Sequence, residues 1–445
     1  MATKSALAHP ARLVPLAFLS AIAVGTLLLA LPMSRAGAGS APLITALFTA
    51  TSAVCVTGLI TVDTATYWSP FGQVVILGLI QIGGFGIMTL ATLLGVVVSR
   101  RLGISTRLVA QLETKTLALG EVRQVLGRIA VTVLTIEAIL AVMLFLRFRF
   151  GYAMSYGEAA WHGVFHSVSA FNNAGFALYS DSLMGFLTDP WITLPIAIGV
   201  ILGGIGFPVL FELRRELRAP RRWSVHTKLT IFGSSVLLAF GTVAILALEW
   251  GNPNTLGPLN VLEKLLAAFF HGVMPRTAGF NAVDYAEVQP ATLAITDALM
   301  FIGGGSAGTA GGIKVTTFFL LGFVIWSEMR GERDVNVFHR RIGAAPQRQA
   351  LTVALLGVGI VALGTLSLLV LTDHTLDLVL FEAISAFATV GLSAGITAGL
   401  NLPAQGVLVL LMFVGRVGTI TVGTALALQS RHRLYRLPEE RTIVG

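Results

Sequence analysis

The strings Val56-Thr57-Gly58-Leu59, Asn172-Asn173-Ala174-Gly175-Phe176, Arg276-Thr277-Ala278-Gly279-Phe280 and Thr389-Val390-Gly391-Leu392 decide how this chain folds. Each follows a short apolar segment, near 41–55, 158–171, 260–274 and 377–387. At 10–15 residues these segments are too short to cross a ~30 Å hydrocarbon core, and they are read as re-entrant helices. The glycines at 58, 175, 279 and 391 are separated by 117, 104 and 112 residues, so one unit recurs four times.

Working outward, longer apolar runs flank every unit: 12–32 and 72–98, 126–147 and 191–211, 229–250 and 291–328, 350–371 and 403–428. The first has Lys4 and Arg12 ahead of it but no small-residue cleavage site, so it is read as a retained span. The second run of each unit carries a glycine signature: Gly83-Gly84-Phe85-Gly86, Gly203-Gly204-Ile205-Gly206, Gly303-Gly304-Gly305 and Gly415-Arg416-Val417-Gly418. These begin 25, 28, 24 and 24 residues after the loop glycine, an independent check on the repeat. In the first two units they are expected to serve close helix packing. The expected fold is an all-α polytopic membrane protein with eight spanning helices. It is built from four tandem helix–pore helix–filter loop–helix repeats, at 1–98, 99–213, 214–329 and 330–445, around a pseudo-four-fold pore.

A hydrophobic fraction of 55% with only 12% charged residues excludes an ordinary soluble domain. The net charge of +8 is explained by topology. Lysine and arginine concentrate at the N-terminus and at 100–128, 214–228, 330–348 and 431–441, at the chain ends or between units. That is the positive-inside pattern, and it puts both termini in the cytoplasm of a bacterial cytoplasmic (inner) membrane. Arg147 and Arg149, on the outer side, depart from it mildly. Nucleic acid is not expected as a partner. The single cysteine, Cys55, excludes an intramolecular disulfide and a cysteine-cluster metal site. His162 and His166 stand at helical spacing with Glu158 a turn earlier, but no partner cluster supports a metal reading. No nucleophile–base pair supports an enzyme.

A cation leaving water needs its hydration shell replaced, and backbone carbonyls do this without adding fixed charge. Aiming successive carbonyls at one axis requires backbone conformations that a Cβ obstructs and glycine permits. Short helices ahead of such loops would point their partly negative C-terminal ends inward, which favours cations.

The strings TSAVCVTGL, SAFNNAGF, PRTAGF and ATVGLS, in this order and spacing, resemble the filter loops of the Trk/Ktr/HKT superfamily of potassium transporters. The resemblance covers nearly the whole chain. Its length and short termini look most like the Ktr membrane subunit (KtrB type), with the longer TrkH type second. Thr389-Val390-Gly391 is also similar to the filter of tetrameric potassium channels. The resemblance implies that Gly58, Gly175, Gly279 and Gly391 lie at an ion filter walled by the carbonyls of Thr57, Asn173, Ala278 and Val390. Glycine at all four positions suits potassium as the substrate. No cofactor is expected to be bound by this chain, and sodium is a candidate activator. The resemblance further implies a homodimer seated on a cytosolic ring of nucleotide-binding regulatory subunits (KtrA/TrkA type). The basic segments and Arg431–Gly445 are its expected docking surfaces, or else they face membrane lipid.

Six glycines between Gly303 and Gly312 precede Lys314, and at ~1 kcal/mol per glycine this stretch is disfavoured as helix by roughly 6 kcal/mol. It is expected to be non-helical and mobile, and the resemblance implies a gating loop beneath the filter, formed by Gly303, Gly304, Gly305, Gly308, Gly311, Gly312 and Lys314. The run GTAGGIKVTT is not a phosphate-binding loop, because Ile313 separates Gly312 from Lys314. Arg416, in the middle of the last run, is expensive in a membrane and is expected to latch this gate, the alternative being an ion pair with Glu137 or Asp297. Arg276 is expected to brace the third loop. Glu158, Glu263 and Glu382 are read as opening three short helices, with Lys264 neutralising Glu263. The functional expectation is potassium uptake through a channel-like pore. The alternative is an alternating-access cation symporter, sodium- or proton-coupled; such carriers usually show inverted repeats.

Overall fold

The computed structural model describes residues 10–101 and 119–418. The expectations for the extreme N-terminus, part of the 100–128 basic segment, the last span beyond 418 and the 431–441 cluster lie outside the described residues.

The first quarter of the chain forms α1 (Pro10–Leu29), α2 (Leu43–Val54), the single turn α3 (Thr64–Tyr67) and α4 (Pro70–Arg101). The second forms α5 (Leu119–Gly151), α6 (Tyr156–Phe171), α7 (Pro190–Ile205) and α8 (Phe207–Glu216). The third forms α9 (Val225–Glu249), α10 (Val261–Val273), α11 (Pro290–Phe301) and α12 (Val315–Met329). In the fourth, a hairpin of β1 (Val335–Val337) and β2 (Arg340–Ile342) precedes α13 (Ala344–Leu371), α14 (Leu376–Phe387) and α15 (Leu402–Phe413). A π-helical turn at Val414–Gly418 extends α15. The hairpin is a small exception to the all-α expectation; its turn residues Phe338 and His339 both take positive φ, as a type I′ turn requires.

Local sequence sets the helix starts. Ser155 accepts a hydrogen bond from the Glu158 N–H, Asn260 and Glu263 form a reciprocal capping box, and Asp189 caps α7 with Pro190 in its first turn. Glu382 does not open its helix. It lies in the last half of α14, fully buried, and the first-turn acid is Asp377. Lys264 does not pair with Glu263 either: its ammonium donates to the Trp250 carbonyl at 2.7 Å and lies over the Trp250 ring.

Among the described residues three helices are long and apolar enough to cross a membrane, Gln124–Gly151, Val225–Glu249 and Ala344–Leu371. They carry exposed Val131, Leu134, Phe240, Val243, Leu363 and Val370, as lipid-facing helices do. The run 191–211, expected as one span, is instead α7 and α8, bent by 99°. The break is at Gly206, whose φ of 97° and ψ of 147° no L residue adopts comfortably, with Pro208 at the start of α8. The 291–328 run is broken as expected, into α11 and α12 with a non-helical 303–314 between them.

Each short helix packs beside a longer helix of its own quarter: α2 on α1 and α4, α6 on α5 and α7, α10 on α9, α14 on α13 and α15. Each also meets the quarter before it. Helix α4 touches α6, α7 touches α10, α11 touches α14, and α15 returns to α2, closing a circle.

Candidate functional site

The four loop glycines meet in a ring. A Cβ added to Gly58 would stand 3.1 Å from the Cα of Gly175, and one on Gly175 would stand 3.0 Å from the Cα of Gly279. The same construction places Gly279 3.1 Å from Gly391, and Gly391 3.0 Å from Gly58. All four have positive φ, between 71° and 95°. A side chain at any of them would run into a neighbouring carbonyl: Ala174 for Gly58, Ala278 for Gly175, Val390 for Gly279 and Thr57 for Gly391. Three of these carbonyls belong to residues named from sequence. The fourth is Ala174, not Asn173. Asn173 is two residues before its glycine and corresponds to Val56, Thr277 and Thr389 of the other loops, all with φ between 51° and 68°.

The short helices end in a way that explains these angles. In the first loop the N–H of Val56 bonds the Ala53 carbonyl and that of Thr57 the Ser52 carbonyl. The second and fourth loops repeat this with Asn173 to Ala170 and Ala174 to Ser169, then Thr389 to Ala386 and Val390 to Ser385. This is the Schellman closure, with a non-glycine residue in its left-handed position. Placing β-branched Val56 or Thr389 there costs ~1–3 kcal/mol each, which the surrounding contacts must offset. The serine six residues before the glycine contributes a second tie. The Ser52 hydroxyl accepts from the Gly58 N–H at 3.0 Å, Ser385 accepts from Gly391 at 3.1 Å, and Ser169 donates to the Phe176 carbonyl at 2.8 Å. Sequence reasoning passed over this serine, although SAVCVTG, SAFNNAG and SAFATVG display it.

The third loop is different. Val273 stands where the serine would be, Pro275 follows, and α10 stops six residues before Gly279 rather than four. Its Arg276 and Thr277 side chains are tied to 303–314. Gly311 donates its N–H to the Thr277 hydroxyl at 3.1 Å, and the buried Arg276 guanidinium donates to the Gly303 carbonyl at 2.9 Å.

That 303–314 segment is a buried, hydrogen-bonded loop. The Gly303 N–H bonds the Ile313 carbonyl at 2.9 Å, so its two ends pair, and Gly305 and Thr309 donate to the carbonyls of Gly204 and Gly203 at 2.8 and 3.1 Å. Its glycines are needed for these approaches. A Cβ on Gly308 would stand 2.9 Å from the Gly203 carbonyl, one on Gly304 2.5 Å from Ala310, and one on Gly305 2.9 Å from Thr230. Gly311 lies against Ala388 and Thr389 of the fourth loop, Gly303 against Gly311, and Gly312 has φ +63°. The Thr309 hydroxyl is 3.0 Å from the Asn173 amide. Lys314 donates to the Ala310 carbonyl at 2.6 Å, and Arg416 donates to the Thr309 carbonyl at 2.5 Å. Among the described residues no carboxylate lies within salt-bridge distance of the buried Arg416; Glu137 instead accepts from Gln81 and Asn172.

The first, second and fourth glycine signatures serve approach to the short helices. A Cβ at Gly83, Gly203 or Gly415 would collide with the last residue of α2, α6 or α14, respectively Val54, Phe171 and Phe387. Behind the ring, Glu382 accepts from Ser393, Thr397 and the Ala394 N–H at 2.5, 2.6 and 3.1 Å, bracing the segment that leaves the fourth loop. His166 plays the matching part in the second quarter, facing the Leu178 N–H at 3.3 Å with its other nitrogen on the His162 carbonyl. Among the described residues no group of three His, Cys, Asp or Glu side chains is placed to hold a metal ion. Between α2 and α4, Asp63 joins the first and second exit segments through Ser180 at 2.6 Å. Partial burial pushes its pKa up, but hydrogen bonds from Ser180, Thr66 and the Ala65 N–H outweigh that and hold it below the ordinary carboxylate value.

Among the described residues the arrangement offers carbonyl oxygens and no fixed charge at the ring glycines, with three cationic side chains, Arg276, Lys314 and Arg416, tied into the loop that contacts it. A family profile described as TrkH, a cation transport protein, matches residues 13–433. The chain is 39% identical to Ktr system potassium uptake protein B of Bacillus subtilis, over 98% of this chain and 97% of that protein. It is 37% identical to the protein of the same name from Vibrio alginolyticus, over 98% and 94%. The crystal structure of the potassium transporter TrkH from Vibrio parahaemolyticus shares its fold at a TM-score of 0.72 and 18% identity, covering 92% of this chain and 82% of that one. By a match along nearly its whole length, the chain belongs to the TrkH family of cation transport proteins.

Proposed function

We propose that this chain is the ion-translocating subunit of a potassium uptake system of the Ktr/Trk type, working as a channel-like pore. The closed ring of Gly58, Gly175, Gly279 and Gly391 carries this reading, because it brings the carbonyls of Thr57, Ala174, Ala278 and Val390 to one place. Such a set replaces the hydration shell of a cation without trapping it by charge. The names of the Ktr relatives support potassium as the substrate. In this reading four repeats surround a pseudo-four-fold axis in eight membrane passes, some of them broken, with both termini cytoplasmic. The loop 303–314 is the gate, and Arg416 is the charge that latches it. A homodimer on a cytosolic nucleotide-binding ring is the proposed assembly, with sodium as a candidate activator.

The test is ion competition in proteoliposomes carrying Gly58→Ser. Discrimination of potassium against sodium should weaken. Unchanged discrimination after serine substitution at each of the four glycines would sink the proposal.

A further inference from the structure

We infer that Thr277 is a specificity-determining positioning residue, and that the third filter loop takes its shape from the 303–314 loop rather than from its own short helix. This rests on the filter reading above and deepens it.

In the first and fourth loops, the serine on the short helix holds the glycine N–H, and in the second it holds the exit segment. These ties are local, and each spans six or seven residues. They are independent of any gate. The third loop has Val273 at that position, which offers no hydroxyl, and Pro275, which donates no N–H. Among the described residues, its Schellman closure is absent: the Ala278 N–H bonds Met274, four residues back, instead of Val273. Yet Thr277 holds φ +68°, the largest value among the four equivalent residues, in spite of its branched Cβ. The flanking N–H groups of Arg276 and Ala278 bond back to Val273 and Met274, and the ties to the side chains come from outside. Gly311 donates to the Thr277 hydroxyl across 34 residues, and Gly303 accepts from Arg276 across 27. Thr389, in the equivalent position of the fourth loop, has no hydrogen-bond partner for its hydroxyl, and Asn173, in the second, meets Thr309 of the same 303–314 loop but keeps its own Schellman closure; in the third loop the tie stands without that closure.

The consequence is a coupling. Any movement of 303–314 that breaks the Gly311–Thr277 bond frees the carbonyls of Thr277 and Ala278. One quarter of the ring then loses its geometry. Ion discrimination therefore depends on the loop position, in addition to whether the path is open.

The experiment compares Thr277→Val, which keeps shape and removes the hydroxyl, with Thr277→Ser, which restores it. Potassium and sodium fluxes are measured in proteoliposomes, and each ion's apparent affinity is measured on the purified chain by thermal stabilisation. A hydrogen bond of this kind is worth a factor of about three to ten. Thr277→Val should lower the potassium-to-sodium ratio by that factor, and Thr277→Ser should recover at least half of the loss. A ratio is insensitive to how much protein folds, and if the valine variant carries no flux the affinity ratio decides. Gly279→Ser is the reference. If Gly279→Ser changes the ratio while Thr277→Val leaves it at the parent value, the coupling is overturned and the filter reading stands. If neither changes it, the filter reading fails first.

Discussion

Arg416 and Thr309 are 107 residues apart in sequence, and the guanidinium of the first donates to the backbone carbonyl of the second at 2.5 Å. One end of this contact is on the π-helical turn that follows α15, the other at the centre of the 303–314 loop. A charged donor to a carbonyl is worth ~1.5–3 kcal/mol. Arg416→Ala should therefore release the loop and raise potassium flux in proteoliposomes by about tenfold. Flux equal to the parent would show that Arg416 restrains nothing.

Gly206→Ala should be destabilising. The residue combines φ 97° with ψ 147°, a region that is essentially glycine's alone, and a Cβ there would meet the Ser306 carbonyl. Strain of ~1–3 kcal/mol is expected before any overlap is counted. Thermal unfolding in detergent should show a clearly lower midpoint, and recovery of the parent midpoint would mean the bend between α7 and α8 is not obligatory.

Ser385→Ala removes the acceptor of the Gly391 N–H, a net loss of about 1 kcal/mol. Because that N–H borders the Val390 carbonyl, apparent potassium affinity should fall by roughly three- to ten-fold with little change in maximal flux. The measurement is the concentration dependence of rubidium or potassium uptake.

Glu382→Ala would leave three donors, from Ser393, Ala394 and Thr397, facing a buried gap. A cost of about 3 kcal/mol or more in unfolding free energy is expected, and Glu382→Gln should recover part of it by keeping one oxygen. Equal stability for alanine and glutamine would show that the carboxyl oxygens do not brace the exit segment.

Some of the site was legible because its signals are local. Gly58, Gly175, Gly279 and Gly391 stand out by spacing, and the glycines of 303–312 by density, since both depend on what a Cβ forbids at that residue. The left-handed positions at Val56, Asn173, Thr277 and Thr389 were not legible, because the expected marker, a glycine, is missing at each. That gap also displaced Asn173 onto the ring in place of Ala174. The break at Gly206 was hidden because Gly203-Gly204-Ile205-Gly206 looks like Gly83-Gly84-Phe85-Gly86, which α4 passes through unbroken. What separates them is Ser306, Ala307 and Gly308 packing on the second and not on the first.

By itself, the sequence determined where the four short helices end and that helix is too costly to continue through the glycines of 303–312. Those outcomes follow from propensity and apolar length, which each segment carries alone. Tertiary structure alone decided the partners: Gly58 beside Gly175 and Gly391, Arg276 on Gly303, Arg416 on Thr309 rather than on Glu137 or Asp297. A buried cation in a membrane must find an acceptor, but either a carboxylate or a carbonyl satisfies that need. Which one it finds depends on how four quarters of the chain close into a circle, and no segment encodes that by itself.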